Sequence, residues 1–358
     1  MSRHGALVAS KTAHRAACLE RSEQSGNRNI QLGTYPAKQR RDAKNAQHTT
    51  YNCPTCNHPT NIFLKRNKLF IGLLVVPSFL LLAAVVFYPF VYNVVLAFGD
   101  MNLTKIRNWH LIGVRQFVKI FTQPSQPDFY AVFAKTIIWT AVNVFFHVVI
   151  GVFLALLLNQ QIKGRSVYRT LLILPWAIPQ YIVALTWRGM FNYEYGSINI
   201  LLTKYLGMPA VEWLRSPVEA FIACILTNVW LGFPFMMVVA LGALQSIPHE
   251  LYEAADIDGA SWWHKLRTIT IPLIRPVMVP AITLGTIWTF NNLNIVWLVS
   301  NGGEPSDSTH ILVSFVYKAA FNFYSFSYAA ALSLVIFLIL FLLSMAFMRQ
   351  SRATEAAY

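Results

Sequence analysis

Six long apolar stretches restrict the possible folds of this chain more than any other feature. They occupy approximately residues 69–98, 136–158, 171–189, 218–241, 277–299 and 328–348. At about 1.5 Å per residue, each stretch is long enough as a helix to cross a hydrocarbon core of about 30 Å. Only 12% of the residues are charged, roughly half the share found in soluble domains. The sequence therefore predicts an all-α polytopic membrane protein with six transmembrane helices.

Composition divides the chain into four parts. Residues 1–65 are basic and polar and lack hydrophobic periodicity, which is typical of disordered segments. They are either a cytoplasmic tail or the result of a start site assigned too far upstream. Residues 66–130 hold the first transmembrane helix and an extracytoplasmic segment, and residues 131–350 hold the other five helices. Residues 351–358 form a short cytoplasmic tail.

The net charge of +14 is distributed as expected for membrane topology rather than for nucleic acid binding. Basic clusters precede the first stretch, separate the second from the third and the fourth from the fifth, and follow the sixth. The positive-inside rule puts these clusters and both termini in the cytoplasm of a bacterial cell, with the protein in the plasma membrane. The basic residues between the first two stretches run against this assignment. The main clusters are Lys65, Arg66 and Lys68; Lys163, Arg165 and Arg169; and Lys265, Arg267 and Arg275.

The four cysteines indicate neither a disulfide framework nor a metal centre. Cys53 and Cys56, with His58, resemble half of a zinc site, but the sequence has no second pair to complete four ligands. Cys224 lies in an apolar stretch, where cysteine usually serves as a small packing residue. We therefore expect no bound metal.

The segment 244–276, between the fourth and fifth stretches, is too polar to cross a membrane. Ser246 is suited to cap a short helix with Pro248 in its first turn. Gly259 allows a sharp turn, after which Trp262 begins a second helical stretch that Pro272 would end. We expect a rigid knob that projects into the cytoplasm.

The same segment resembles a known motif. Glu253-Ala254-Ala255, then Gly259, then the Ile-Thr-Ile-Pro of 269–272 is similar to the EAA motif of ATP-binding-cassette (ABC) importer permeases, with Ile271 in place of Leu. The resemblance implies a coupling helix that docks in a cleft of a separate ATPase subunit. It implies coupling contacts for Glu253, Ala254, Ala255, Asp258 and Gly259.

Over about residues 66–350, the chain resembles the maltose-type permeases of the sugar-importer branch. Supporting pieces include Leu-Pro-Trp at 174–176 and Asn-Gly-Gly-Glu-Pro at 301–305. The resemblance implies the type I importer permease fold and four kinds of partner: a second permease subunit, two ATP-binding-cassette subunits, an extracytoplasmic sugar-binding protein and the membrane. The chain has no phosphate-binding Gly-x-x-x-x-Gly-Lys-Ser/Thr loop. ATP and magnesium would be bound by the cassette subunits and no cofactor by this chain, which would hydrolyse nothing itself.

Amides in the fifth stretch indicate a polar site at membrane depth. Asn291, Asn292 and Asn294 are costly to bury unless they bind substrate hydroxyls or bond across helices, and both interpretations remain open. The resemblance implies that two stretches line a sugar cavity, with Phe235 in place of an expected Tyr and Trp288-Thr289 in place of Phe-Asn. The predicted lining is Leu231, Gly232, Phe235, Trp288, Thr289, Asn291 and Asn292.

The favoured function is import of an oligosaccharide or disaccharide, such as maltose or maltodextrin, by alternating access. The first alternative is a permease for glycerol 3-phosphate or another polyol. A more distant one is an ion-coupled secondary transporter, which would need intramembrane acidic residues and two similar halves that we do not find. His147 in the second stretch is interpreted as a helix–helix hydrogen bond rather than a proton relay.

Overall fold

The computed structural model describes residue 73, residues 75–122 and residues 128–355. Two units are distinguished, Met1–Leu80 and Leu81–Tyr358. In the first unit the description is limited to a short helical stretch, and the sites discussed below belong to the second. The predicted N-terminal segment 1–65, with Cys53, Cys56 and His58, lies outside the described residues.

Helices dominate the described residues, and no strand occurs among them. A π-helical turn, Ala83–Phe87, interrupts α1, and a second one, Leu266–Thr270, joins α9 to α10. The helices are α1 (Val75–Ala97), α2 (Arg115–Thr122), α3 (Phe129–Asn159), α4 (Arg165–Ala177), α5 (Gln180–Met190), α6 (Ser197–Tyr205), α7 (Pro217–Gln245), α8 (His249–Ile257), α9 (Trp262–Lys265), α10 (Ile271–Phe290), α11 (Leu293–Val299), α12 (Leu312–Phe321) and α13 (Phe326–Glu355).

The described residues provide five to six candidate membrane spans for the six apolar stretches. Five candidate spans are long and apolar enough to cross: α1, α3, α7, the run Trp262–Val299 and the part Phe326–Phe347 of α13. The sixth is the pair α4 and α5, which bends by 92°. This arrangement confirms the predicted all-α membrane fold.

The third predicted stretch is a broken helix rather than a straight one. Helix α4 ends at Ala177, and Ile178 takes an extended conformation with ψ 136° before Pro179 and the start of α5. Proline disfavours the helical conformation in the residue before it and has no N–H to donate. The break therefore follows from Pro179, while Pro175 is accommodated inside α4.

Helices α3 and α7 form the centre of the bundle and pack along much of their length. Buried Ala155, Met236 and Met237 belong to a cluster of apolar side chains around them, which α10 joins through Met278. Of the described side chains of α1, only Ala97 is fully buried. Apolar side chains left exposed along a helix of this length are suited to lipid contact.

Candidate substrate cavity and coupling knob

A cavity of about 110 Å³ lies where α3, the α4–α5 break, α7 and the α10–α11 break meet. Non-helical backbone at membrane depth is tolerated where it is buried in protein or lines a cavity, and both breaks fit this rule. The cavity is lined by His147, Trp176, Gln180, Asn228, Leu231, Gly232, Phe235, Met236, Gly285, Trp288, Thr289 and Asn292.

Three aromatic rings form one part of the cavity wall. Phe235 of α7 lies between Trp176 of α4 and Trp288 of α10, with ring centroids 6.1 Å and 5.3 Å apart. Trp176 and Trp288 are about half exposed, at 50% and 52%. These ring faces are available to the apolar C–H face of a bound molecule.

Amides form another part of the wall and also fix its shape. Asn292 Nδ2 donates to Asn228 Oδ1 at 2.7 Å, which ties the α10–α11 break to α7. Asn292 Oδ1 accepts from the backbone N–H of Ile295 and so caps α11. The indole N–H of Trp139 donates to the Thr289 carbonyl at 2.8 Å, which satisfies a carbonyl in the last turn of α10. Asn292 thus lines the cavity and also bonds across helices.

The cavity combines aromatic and polar side chains without formal charge. Among the described residues that line it, none is Asp, Glu, Lys or Arg. An anionic ligand in such a site would lack a counter-charge at membrane depth, where an unpaired charge is costly.

Six of the seven predicted lining residues line this cavity. Asn291 does not: it is exposed at the end of α10, where its Nδ2 donates to the Ile287 carbonyl at 3.3 Å. Asn294 also lies outside and donates to Gln180 Oε1 at 3.3 Å. Six further lining residues were not assigned from the sequence, and two of them, Met236 and Gly285, offered no signal. The other four have polar or aromatic side chains within apolar stretches, which were a usable signal. These are His147, Trp176, Gln180 and Asn228.

The polar segment after α7 forms the predicted knob, which we define as residues 249–265. Helix α8 has no fully buried side chain within the described part of the chain. Ser246 does not cap it, contrary to the prediction. Ser246 instead ends α7 and donates from Oγ to the Ala243 carbonyl, while Pro248 occupies the N-cap of α8. Only a few residues separate the end of α7 from the start of α8, and Ser246 belongs to the end of α7. It is therefore not available to cap α8.

Two side-chain contacts hold the knob together. One links its two helices, and the other links α8 to the turn before α10. Lys265 Nζ pairs with Asp256 Oδ1 at 2.6 Å, linking α9 to α8. Tyr252 Oη and Thr270 Oγ1 are 2.9 Å apart, linking α8 to the π turn that leads into α10. Pro272 does not end the second stretch as predicted. The helix continues through it because the wider π turn precedes it and the proline falls in the first turn of α10.

The five predicted coupling residues lie together on the knob. Glu253, Ala254 and Ala255 belong to α8, Asp258 is its C-cap and Gly259 makes the turn at φ +73°. This left-handed conformation is one that glycine adopts readily and other residues rarely do. Ala255, Asp258 and Gly259 also border a surface hollow of about 480 Å³ between α8, α9 and the π turn that follows α9.

A polar loop, residues 301–311, covers the opposite end of the bundle. Lys318 of α12 pairs with Asp307, and Lys135 of α3 donates to the Ser308 carbonyl at 2.7 Å. His310 is buried, with Nε2 3.3 Å from Asp307 Oδ1. Burial lowers the pKa of His310 to about 4, and the nearby Asp307 only partly opposes this. The imidazole is therefore neutral at pH 7.

The bundle, its neutral cavity and its exposed knob define a membrane permease. The family described as the inner membrane component of binding-protein-dependent transport systems matches residues 147–353. The chain belongs to this family. The matched region includes the cavity, the knob and the 301–311 loop.

Curated relatives support the same assignment. The chain is 37% identical over 272 residues to the galactooligosaccharides transport system permease protein GanP of Bacillus subtilis, covering 73% of this chain and 65% of GanP. It is 36% identical to the maltodextrin transport system permease protein MalC of Streptococcus pneumoniae, covering 76% of this chain and 67% of MalC. It is 34% identical to the trehalose/maltose permease protein MalF of Thermococcus litoralis, covering 70% and 83%.

A solved structure shares the fold. A chain of a bacterial ABC transporter that imports the acidic polysaccharide alginate superposes with a TM-score of 0.70 at 21% identity, covering 83% of this chain and 99% of that chain. The predicted importer permease fold is thereby confirmed. At this identity the likeness concerns the fold alone.

Proposed function

We propose that this chain is a transmembrane permease subunit of a sugar importer and passes a neutral oligosaccharide or disaccharide through the cavity around Asn292. The observation that carries the proposal is the lining of aromatic rings and neutral polar groups described above. Rings suit the C–H face of a pyranose and amides suit its hydroxyls. The names of the relatives mention galactooligosaccharides, maltodextrin, trehalose and maltose, and so point to the same class.

The lining also bears on the alternatives. Glycerol 3-phosphate would call for a cationic side chain, and the described lining offers no Lys or Arg. An ion-coupled transporter would call for acidic side chains at the cavity, and the lining residues include no Asp or Glu. A neutral sugar remains the ligand class that this chemistry fits best.

Energy would come from a separate ATPase subunit that docks on the knob. Exposure of α8 and the small side chains of Ala254 and Ala255 leave room for close approach by another protein. ATP and magnesium would bind to that subunit. The complex would comprise this chain, a second permease subunit, two ATPase subunits and an extracytoplasmic sugar-binding protein. The knob and both termini would lie in the cytoplasm.

The cavity volume supports a shared site. A space of about 110 Å³ is small beside the roughly 300–1,000 Å³ of typical ligand pockets. This chain would therefore supply one part of the sugar site and the second permease subunit the rest.

Substrate-stimulated ATP hydrolysis by the reconstituted complex tests the proposed function. The chain is co-expressed with its permease partner, ATPase and binding protein, and the complex is placed in liposomes. We expect stimulation by maltodextrins, galactooligosaccharides or trehalose and none by glycerol 3-phosphate or alginate oligosaccharides. Stimulation by either anionic compound, with none by neutral sugars, would contradict the proposal.

Coupling through the knob has its own test. Glu253→Ala and Gly259→Pro should abolish sugar uptake while the subunit still inserts in the membrane. Glu250→Ala is the matched control, because Glu250 is an exposed carboxylate on the same helix but lies outside the five coupling residues. Normal uptake in both Glu253→Ala and Gly259→Pro would refute the coupling role.

A further inference from the structure

His147 lines the cavity from α3 with its ring almost fully buried, at 4% exposure. Its Nε2 lies 2.9 Å from the backbone carbonyl oxygen of Asn228. Since a carbonyl can only accept, Nε2 must carry the proton in this bond. Nδ1 of the neutral ring is then a hydrogen-bond acceptor, and no described residue donates to it.

Asn228 presents the complementary group on α7. Its Oδ1 accepts from Asn292, so the orientation of the amide is set by a bond at 2.7 Å. Its Nδ2 is buried and has no hydrogen-bond partner among the described residues. Buried donors without partners are uncommon, and each calls for a ligand, a water or a functional reason. His147 and Asn228, which both line the cavity, thus carry one unused acceptor and one unused donor among the described residues.

Gly232 fixes the position of the imidazole. A Cβ at this position would lie 2.3 Å from His147 Cε1 and Nε2, so only glycine leaves room for the ring against α7. Gly232 follows Asn228 by one helical turn, and both line the cavity. The ring is therefore held beside Asn228.

We propose that His147 is a specificity-determining residue which, together with Asn228, binds one hydroxyl of the transported sugar. Asn228 Nδ2 donates to the hydroxyl oxygen, and the hydroxyl proton is donated to His147 Nδ1. The pair needs a group that accepts and donates at once, which a hydroxyl does and an ether, carbonyl or fully ionised phosphate does not. This proposal rests on the proposed function and extends it from a class of sugar to a single recognised hydroxyl.

The test compares a sugar with its singly deoxygenated analogues in uptake by the reconstituted complex. The probes are maltose and β-1,4-galactobiose, each with its set of monodeoxy analogues. For the wild type, one analogue should show a KM raised roughly tenfold to hundredfold, because its binding leaves a buried donor and acceptor unpaired. In His147→Phe, which keeps a ring of similar size, the KM of that analogue should be only about twofold above the KM of the parent sugar. The KM increases of the other analogues should persist.

Two more variants separate recognition from packing. His147→Gln should restore discrimination, because its amide can donate to the Asn228 carbonyl and accept through Oε1. Asn228→Ala should remove the penalty of the same analogue as His147→Phe does, and so tests the pair if the Phe variant does not assemble.

If the analogue keeps its full KM increase relative to the parent sugar in both His147→Phe and Asn228→Ala, whatever the overall uptake, the proposal is overturned and these residues have a packing role. Failure of the wild type to transport any of the maltodextrins, galactooligosaccharides and trehalose would instead refute the proposed function and, with it, this inference.

Discussion

At the scale of single residues, Asn292 has two structural roles in the cavity wall. It caps α11 and also holds the amide of Asn228. Its neighbour Asn291 is exposed and lies outside the cavity. Adjacent residues of the same type thus differ in environment, which makes them a matched pair for experiment.

We expect Asn292→Ala to lower the free energy of unfolding by about 2–3 kcal/mol, because a cap is lost and a buried amide oxygen is left unpaired. Sugar uptake should fall with it. Thermal unfolding of the purified protein in detergent measures the first effect. Asn291→Ala is the control and should unfold like the wild type, and equal destabilisation by both substitutions would contradict the role given to Asn292.

Because of His310, the stability of the 301–311 loop depends on pH. Its pKa is lowered to about 4 by burial, so the unfolded chain binds a proton between pH 6.5 and 4 that the folded loop does not. Stability is therefore present above the unfolded pKa and lost as pH falls through this window, by about 2 kcal/mol at pH 5.

Thermal unfolding at pH 7 and pH 5 tests this dependence. The difference between the two pH values should be smaller in His310→Gln than in the wild type. An unchanged difference would show that other groups cause the loss.

Residue identities within the cavity were predictable only where they lie on the fourth and fifth stretches. Leu231, Phe235 and Trp288 were assigned by resemblance, and the structure places them at the cavity. His147 and Gln180 were not assigned, because they reach the cavity only through the crossing of α3 with α7 and the bend before α5. Sequence spacing within one helix contains no information on such contacts.

At the scale of elements, the two broken spans differ most from expectation. The stretch 277–299 reads as one apolar run, but α10 ends at Phe290 and α11 begins at Leu293. The signal was present in Asn292, since asparagine is a preferred N-cap. Hydropathy averages over a window and does not register a cap inside an apolar run, so the apolar stretches were predictable and the α10–α11 break was not.

The knob is a second element that was only partly predicted. Its two helices were expected from the sequence, but the bond that links α8 to the turn before α10 was not. Tyr252→Phe removes the bond to Thr270 but leaves that hydroxyl its bond to the Lys265 carbonyl. We expect α8 to stay helical while sugar transported per ATP falls about fivefold, since one hydrogen bond contributes roughly 1 kcal/mol to holding the knob on α10.

Uptake and ATP hydrolysis measured on the same liposomes give that ratio. Tyr205→Phe serves as control, because Tyr205 is exposed at the end of α6. A Tyr252→Phe complex with the wild-type ratio would show that the bond plays no part in coupling.

At the scale of the whole molecule, the orientation in the membrane is a prediction from the charge distribution and can be measured directly. Arg107 lies in the exposed segment after α1 and Ile257 at the end of α8, where it is 88% exposed. In a background with Cys18, Cys53 and Cys56 replaced by serine, Arg107→Cys should react with a membrane-impermeant maleimide in intact cells. Ile257→Cys should react only after the membrane is permeabilised, and the reverse pattern would invert the topology.

The chain order around the knob has a mechanical consequence. Helix α7 runs through the knob into α10, and these two helices carry Asn228, Phe235, Trp288 and Thr289. In the proposed coupling, a movement of the knob would be transmitted to both helices, which the Asn228–Asn292 bond links. The part of the cavity wall formed by α7 and α10 would then move as a rigid body. A bound sugar would be released when the opposite side of the cavity moves away and water reaches the sugar hydroxyls. Rearrangement of the α7–α10 wall would not be needed.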